Sequence, residues 1–185
     1  MLGSTPEREF DALAQAAALV CGVPISLISL IDENRQWFKA NVGLPAVEET
    51  SRDLAFCAHA IHGDGIMEVE DASLDPRFSD NALVTGNPDI RFYAGATLRL
   101  SDGARVGTLC VIDRQPRRLD ATQREVLGHL AAAAAKALEG RRALRAERQM
   151  RVTASQAAAV LRNSVDAFIA LSLDGTVTHW NGAAE

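Results

Sequence analysis

Cysteine and aromatic side chains are scarce in this sequence of 185 residues, and neither sign of charge dominates it. Cys21, Cys57 and Cys110 are an odd and sparse set without zinc-like spacing, which predicts free thiols in a reducing cytoplasm rather than a disulfide framework. A formal net charge of −5 with mixed signs argues against a chain whose main task is to grip nucleic acid, because phosphate binding needs a basic surplus on one face. The apolar run Leu130–Ala135 is far too short to cross a bilayer, so no membrane segment is expected. The opening Met-Leu-Gly-Ser-Thr-Pro-Glu-Arg has no basic start followed by an apolar block, so no signal peptide is expected either. Asp71, Asp75 and Asp80 lack calcium-loop spacing and read as caps and turns. No glycine-rich phosphate loop, kinase box or convergent nucleophile and base is present, so no catalytic activity is expected of the chain itself.

What the sequence does hold is 48% hydrophobic residues, enough for one good core and a fragment of a second domain. The organising stretch is Arg91–Asp113, two apolar runs separated by Ser101-Asp102-Gly103-Ala104. A two-residue type I′ turn at Asp102-Gly103 would set Leu98 opposite Gly107, Ala96 opposite Leu109, Ala94 opposite Val111 and Thr97 opposite Thr108. A strand pair this apolar on both faces belongs inside a covered sheet, and Ala94, Gly95 and Ala96 leave room beside it for a guest.

Around this hairpin the chain reads in order. Thr5 caps a helix with Pro6 in its first position, and Phe10, Leu13, Ala14, Ala17 and Cys21 form its buried stripe. Pro24–Ile31 and a segment around Gln36–Ala40 are strands, and Thr50 or Ser51 caps a short helix carrying Leu54, Phe56, Cys57, Ala60 and Ile61. A brief strand, Ile66–Glu70, leads into a long irregular connection from Asp71 to Pro88, which reads as a binding loop or lid. Asp120 then caps a long helix in which Leu130, Ala137 and Leu144 repeat at seven while the companion positions become Arg141 and Arg148. This is a linking helix with modest dimer propensity, and its arginines at 141, 142, 145, 148 and 151 form a solvated face. From Ala157 the pattern restarts with a short helix to Asn163, strands at Ala167–Leu173 and Val177–Trp180 around Asp174-Gly175, and Asn181 as a helix cap.

Six strings stand in a telling order: Val-Pro-Ile-Ser-Leu-Ile-Ser-Leu-Ile-Asp (23–32), Arg-Gln-Trp-Phe-Lys (35–39), Phe-Cys-Ala-His-Ala-Ile (56–61), Asp-Ala-Ser-Leu-Asp-Pro-Arg-Phe (71–78), Arg-Phe-Tyr-Ala-Gly-Ala (91–96) and Gly-Thr-Leu-Cys-Val-Ile-Asp (107–113). Together they resemble the GAF domains of bacterial sensor kinases and cyclic-dinucleotide signalling proteins, and residues 161–185 resemble the opening of a PAS domain. The resemblance implies an α+β fold: a central antiparallel sheet, helices on one face, a loop-closed pocket on the other and a long C-terminal helix. It implies a sensory domain at 7–140, a linking helix at 141–156 and the start of a PAS domain at 157–185. The function implied is a cytoplasmic sensor module that binds a small molecule and signals through the helix to a PAS domain and a downstream histidine kinase or diguanylate cyclase. Homodimerisation through the terminal helices goes with it. The alternatives are a free methionine-R-sulfoxide reductase and a dimerisation module that senses nothing.

The ligand itself is not named by the sequence. Bilin-carrying relatives use a cysteine in the region matching Asn81–Ile90; none stands there, which argues against a covalent bilin. The Asn-Lys signature of cyclic-nucleotide-binding relatives is missing as well. The reductases need several cysteines on facing loops, whereas Cys21 falls at a helix end and Cys110 in mid-strand. The candidate ligand-binding residues are Trp37, Phe56, Cys57, His59, Phe78, Arg91, Phe92 and Tyr93, with Arg91 and Tyr93 offering a guanidinium and a phenol at the strand mouth. On a helix Cys57, His59 and His62 point too far apart to share one metal. Two readings of that cluster stay open: a buried thiol with imidazoles on the polar face, or Cys57 or His59 lining the pocket.

Overall fold

The computed structural model describes residues 7–44, 47–63, 65–162, 164 and 166–184. In chain order the elements are α1 (Arg8–Cys21), β1 (Ile25–Ile31), β2 (Arg35–Val42), β3 (Glu49–Ser51), a 3-10 turn at Arg52–Leu54, α2 (Phe56–Ala60), β4 (Ile66–Val69), α3 (Ala82–Thr85), β5 (Phe92–Arg99), β6 (Arg105–Asp113), α4 (Ala121–Arg162), β7 (Ile169–Leu171), β8 (Val177–Trp180) and a closing 3-10 turn at Gly182–Ala184. The chain divides into two compact units, one up to Glu139 and one from Gly140. Among the described residues no helix is long and apolar enough to cross a membrane.

The first unit is built on a six-stranded antiparallel sheet in the order β3-β2-β1-β6-β5-β4. The central hairpin has the expected register, with Ala94 opposite Val111, Ala96 opposite Leu109, Thr97 opposite Thr108 and Leu98 opposite Gly107. Its turn differs. Leu100 N–H donates to Ala104 and Gly103 N–H donates back to Leu100, making a three-residue loop with Gly103 left-handed at φ 84°. The pairing then slips between Leu98 and Arg99, where Val106 is the extra residue, and this slip restores the register that a two-residue turn would have given.

Alternation along the strands sorts the side chains into two cores. On one face Phe10, Ala14, Ala17 and Ala18 of α1 and Leu127, Ala131, Ala134, Ala135 and Leu138 of α4 share a cluster with Ile28, Leu30, Trp37, Ala94, Ala96, Leu98, Leu109 and Val111. On the other, Ile25, Leu27, Phe38, Tyr93, Cys110 and Ile112 meet Phe56, Cys57 and Ala60 of α2, with Phe78, Val84 and Ile90. The room beside Ala94 and Gly95 is filled: Ala94 faces the helices, and the space above Gly95 holds the phenol of Tyr93. Beside Ala96 and Thr97 a cleft does remain, lined also by Ile66, Gly128 and Ala131.

Several local details depart from expectation. The helix α1 starts after Glu7 without a side-chain cap, and Thr5 and Pro6 lie outside the described residues. Thr50 sits in the short edge strand β3, and Ser51 makes no side-chain cap bond. The connection from Asp71 to Pro88 is a series of turns followed by α3, which Asn81 caps by accepting from Leu83 N–H at 2.9 Å. Asp120 does cap α4, through a reciprocal pair with Gln123 at 2.8 and 3.0 Å. Glu68 ties the same helix start to β4 by accepting from Leu119 N–H at 2.8 Å and pairing with Arg124.

In the second unit β7 and β8 form a hairpin whose turn again places glycine, Gly175, at positive φ. Asn181 stands just before the closing 3-10 turn, where its carbonyl accepts from Ala184 N–H at 2.9 Å, while its side-chain amide donates to Asp166 at 2.8 Å and its side-chain oxygen accepts from Phe168 N–H at 2.8 Å. Phe168, Ile169, Leu171, Leu173 and Trp180 are all exposed. Two strands with so little apolar burial are marginal, so amides of β7 and β8 are expected to exchange at least ~100-fold faster than those of β1 and β6; comparable protection in a hydrogen-exchange experiment would contradict this.

Among the described residues Lys39 carries a buried charge. In β2, Lys39 is the extra residue of a bulge between the pairs Ile28–Ala40 and Ser29–Phe38, so it shares a side with Ala40. Its ammonium lies 2.7 Å from Glu7 Oε1 and 5.1 Å from the Phe10 ring centre. Removing the carboxylate takes one charged partner from a buried cation, whereas removing the cation leaves an apolar stem among apolar neighbours. In urea denaturation Glu7→Ala should therefore cost about 2–3 kcal/mol and Lys39→Met less than about 1 kcal/mol; the reverse order would refute the argument.

Candidate functional site

The face opposite α1 and α4 keeps a cavity of about 130 Å³. Its floor is the sheet: Leu27 of β1, Gln36 and Phe38 of β2, Tyr93 of β5 and Ile112 of β6. Thr50 on β3 and Ala55, Phe56 and Cys57 around the start of α2 form one wall. Leu44 and Val47 close it from the β2–β3 loop, and Leu83, Asn87, Pro88 and Ile90 close it from α3 and the segment leading into β5.

Short-range hydrogen bonds fix both closing segments. Asn41 donates to Leu44 at 2.7 Å and Val47 at 2.8 Å and accepts from Leu44 N–H at 3.1 Å. Arg91 donates to Val84 and Ile90 at 2.9 and 3.1 Å and pairs with Asp89 at 2.7 Å, while Arg114 donates to Pro88 at 2.9 Å. The guanidinium expected to meet a ligand is thus engaged with the roof.

Among the described residues, no Asp, Glu, Lys, Arg or His lines the cavity. Two of the lining side chains do hold buried polar atoms without a hydrogen-bond partner, Gln36 Oε1 and Thr50 Oγ1. Gln36 is anchored by its amide, which donates to Ser29 Oγ at 3.1 Å, so its oxygen is the free end. The arrangement suits a small, largely uncharged guest that brings hydrogen-bonding groups of its own.

Beside the cavity the Tyr93 hydroxyl donates to Cys57 Sγ at 3.4 Å, with Ser29 Oγ at 3.6 Å and Cys110 Sγ at 3.8 Å from the same sulfur. Burial pushes the Cys57 thiol up, but the polar groups of Cys110, Thr108, Tyr93 and Ser29 around it outweigh this and bring the thiol down to about 6. Cys110 moves the other way, well above its ordinary range, through its bond to Cys57 and its burial. Burial and the adjacent sulfurs likewise hold the Tyr93 phenol protonated.

A profile of the GAF domain matches residues 5–138, most of the first unit and well over half of the chain. The chain belongs to the GAF domain family. Over 117 residues it is 50% identical to the cyclic di-GMP phosphodiesterase PA2567 of Pseudomonas aeruginosa, spanning 63% of this chain but only 20% of that protein. Among solved structures it is similar to a domain of a two-component sensor histidine kinase protein from Sinorhizobium meliloti, with TM-score 0.58, 18% identity, 77% of this chain covered and 97% of that one. It is also similar to the free methionine-R-sulfoxide reductase of Neisseria meningitidis in complex with its substrate, with TM-score 0.59, 20% identity and coverage of 73% and 78%. At these identities the two solved structures speak for the fold alone.

Within this GAF domain the eight candidate residues do not converge. Phe56, Cys57 and Tyr93 line the cavity. Phe78 stands behind them, stacked on Phe56 at 4.0 Å, and His59 packs edge-on to Phe78 at 4.9 Å. Trp37 and Phe92 lie in the helix-side core, because each neighbours in sequence a residue that faces the cavity and strand alternation turns it away. Gln36, Phe38, Leu27 and Ile112 were not among the candidates, although the same alternation counted from Tyr93 places them.

The floor depends on Gly95. A methyl group there would come within 2.1 Å of the Tyr93 hydroxyl oxygen. Gly95→Ala is expected to displace the phenol from Cys57 and cost about 1–3 kcal/mol; thermal denaturation reads this, and an unchanged melting temperature would count against the packing described.

Proposed function

We propose that this chain is the sensory part of a longer bacterial signalling protein in which a small molecule bound in the cavity biases the helix α4 and, through it, a downstream domain. The observation that carries the proposal is the cavity with two buried, unpartnered polar atoms in an otherwise apolar lining. Leaving a buried acceptor unpaired costs about 1–3 kcal/mol, a cost that a hydrogen-bonding guest removes. At about 130 Å³ the site is close to the ~150 Å³ that holds benzene, so the guest is a handful of heavy atoms and not a cyclic dinucleotide.

The reading extends along the chain. A sensory domain occupies residues 7–140, a linking helix residues 141–156 and the beginning of a PAS domain residues 157–185. Self-association through the terminal helices would let two α4 segments move against each other, and the setting is the cytoplasm. The chain carries no catalysis of its own in this proposal. Its identity to part of a cyclic di-GMP phosphodiesterase supports an output in cyclic-dinucleotide turnover, ahead of a histidine kinase.

Reduction of free methionine sulfoxide is disfavoured because that substrate carries both an ammonium and a carboxylate, and the lining offers neither a counter-charge. Native mass spectrometry of the chain recovered from its own cell extract tests the proposal. A retained small molecule is expected, and Thr50→Val should lower its occupancy about tenfold. Recovery of empty protein under conditions that preserve non-covalent complexes, or occupancy indifferent to Thr50, would overturn it.

A further inference from the structure

We infer that Cys57 and Cys110 are a two-thiol redox pair, oxidised to an intrachain disulfide by a small peroxide that enters through the cavity. The inference rests on a different observation from the ligand proposal and survives its failure. Cys57 and Cys110 stand 53 positions apart in sequence, on α2 and on the inner strand β6, yet their sulfurs lie 3.8 Å apart. Cys57 is a lining residue of the cavity, so a molecule the size of hydrogen peroxide held there stands beside it, although the residue is shut off from bulk solvent. Cys110 is not among the lining residues.

The surroundings divide the two roles. The hydroxyl groups of Tyr93 and Ser29 lie 3.4 and 3.6 Å from the Cys57 sulfur and stabilise its thiolate, whereas Cys110 keeps its proton. Cys57 is accordingly the attacking sulfur and Cys110 the resolving one. In the first step the Cys57 thiolate attacks one peroxide oxygen, the O–O bond breaks, and hydroxide leaves and takes up a proton as water, giving a sulfenic acid. In the second the Cys110 sulfur attacks the Cys57 sulfur, the S–O bond breaks, and the thiol proton leaves with the hydroxide as a second water. Two thiols and one peroxide become one disulfide and two waters; the sulfurs lose two electrons and the peroxide gains them.

The bond has a structural consequence. A disulfide of about 2.0 Å requires the sulfurs to close by roughly 1.8 Å from their 3.8 Å separation. Since β6 is an inner strand paired on both sides, the five-residue helix α2 makes the larger movement and carries with it Phe56 and Ala55 of the cavity wall. Oxidation thereby reshapes the same cavity.

The test uses the whole chain, reduced, freed of reductant and treated with about a two- to tenfold excess of hydrogen peroxide, followed by alkylation in denaturant and peptide mapping. The expected result is a mass loss of about 2 Da, a cross-linked peptide pair containing Cys57 and Cys110, a single alkylated thiol at Cys21, and full return of all three thiols with dithiothreitol. Cys21→Ser should leave the cross-link intact, and Cys110→Ser should leave Cys57 as a sulfenic acid that a dimedone probe captures. Three alkylated thiols after treatment, addition of oxygen to Cys57 without a cross-link in the unaltered chain, or cross-links between chains would each overturn the inference. The mapping on unaltered protein decides the matter even if the serine variants do not fold.

Discussion

The phenol of Tyr93 lies across the α-carbon of Gly95 on its own strand, and the two faces of the sheet take their character from that contact. With no side chain at 95, the ring folds down against the sheet and its hydroxyl reaches Cys57, closing the part of the face nearest β4. What remains unfilled is pushed toward β1 and β2, where Leu27, Gln36 and Phe38 form the floor. On the other side of the same strand Ala94 and Ala96 let the alanine-rich stretch of α4 share one core with the sheet. One face is thus covered by helices, with a cleft left beside Ala96 and Gly128, and the other holds both a cavity and a thiol cluster.

The sheet lies between the helix face and the cavity face, which bears on how a change at the cavity reaches α4. The start of α4 is held to β4 by Glu68, and Ser101 in the central turn donates to Glu139 further along the helix. β4 and β5 are neighbours, and Tyr93 of β5 pairs with Val69 of β4. A displacement of Tyr93 or of α2 therefore has a short, physically continuous route to both attachment points of the helix. Coupling along it requires two discrete arrangements of that wall, and the closing of α2 on β6 supplies one candidate.

Much of the architecture was legible in the residues because apolar strands, a glycine turn and small side chains leave few alternatives. The hairpin register held even though its turn did not, since the extra residue Val106 compensated for a longer loop. The site was legible only in part. Choosing aromatic residues by type brought in Trp37 and Phe92, which alternation turns toward the helices, and passed over Gln36 and Ile112, which face the cavity. Arg91 stood at the right place along the chain, but the direction of its guanidinium was set by the carbonyl groups of Val84 and Ile90, and nothing local encodes these as partners. The Cys57–Cys110 proximity is a tertiary fact that neither string announces.

The central claim is that the sheet retains a largely apolar cavity on the side of Tyr93 and α2, enclosed by Leu27, Phe38, Leu83 and Ile112. Xenon binds dry apolar cavities of this size, so a crystal of the chain pressurised with xenon tests the claim most directly. The expected result is a xenon site among Leu27, Phe38, Leu83 and Ile112. An empty cavity face would contradict it.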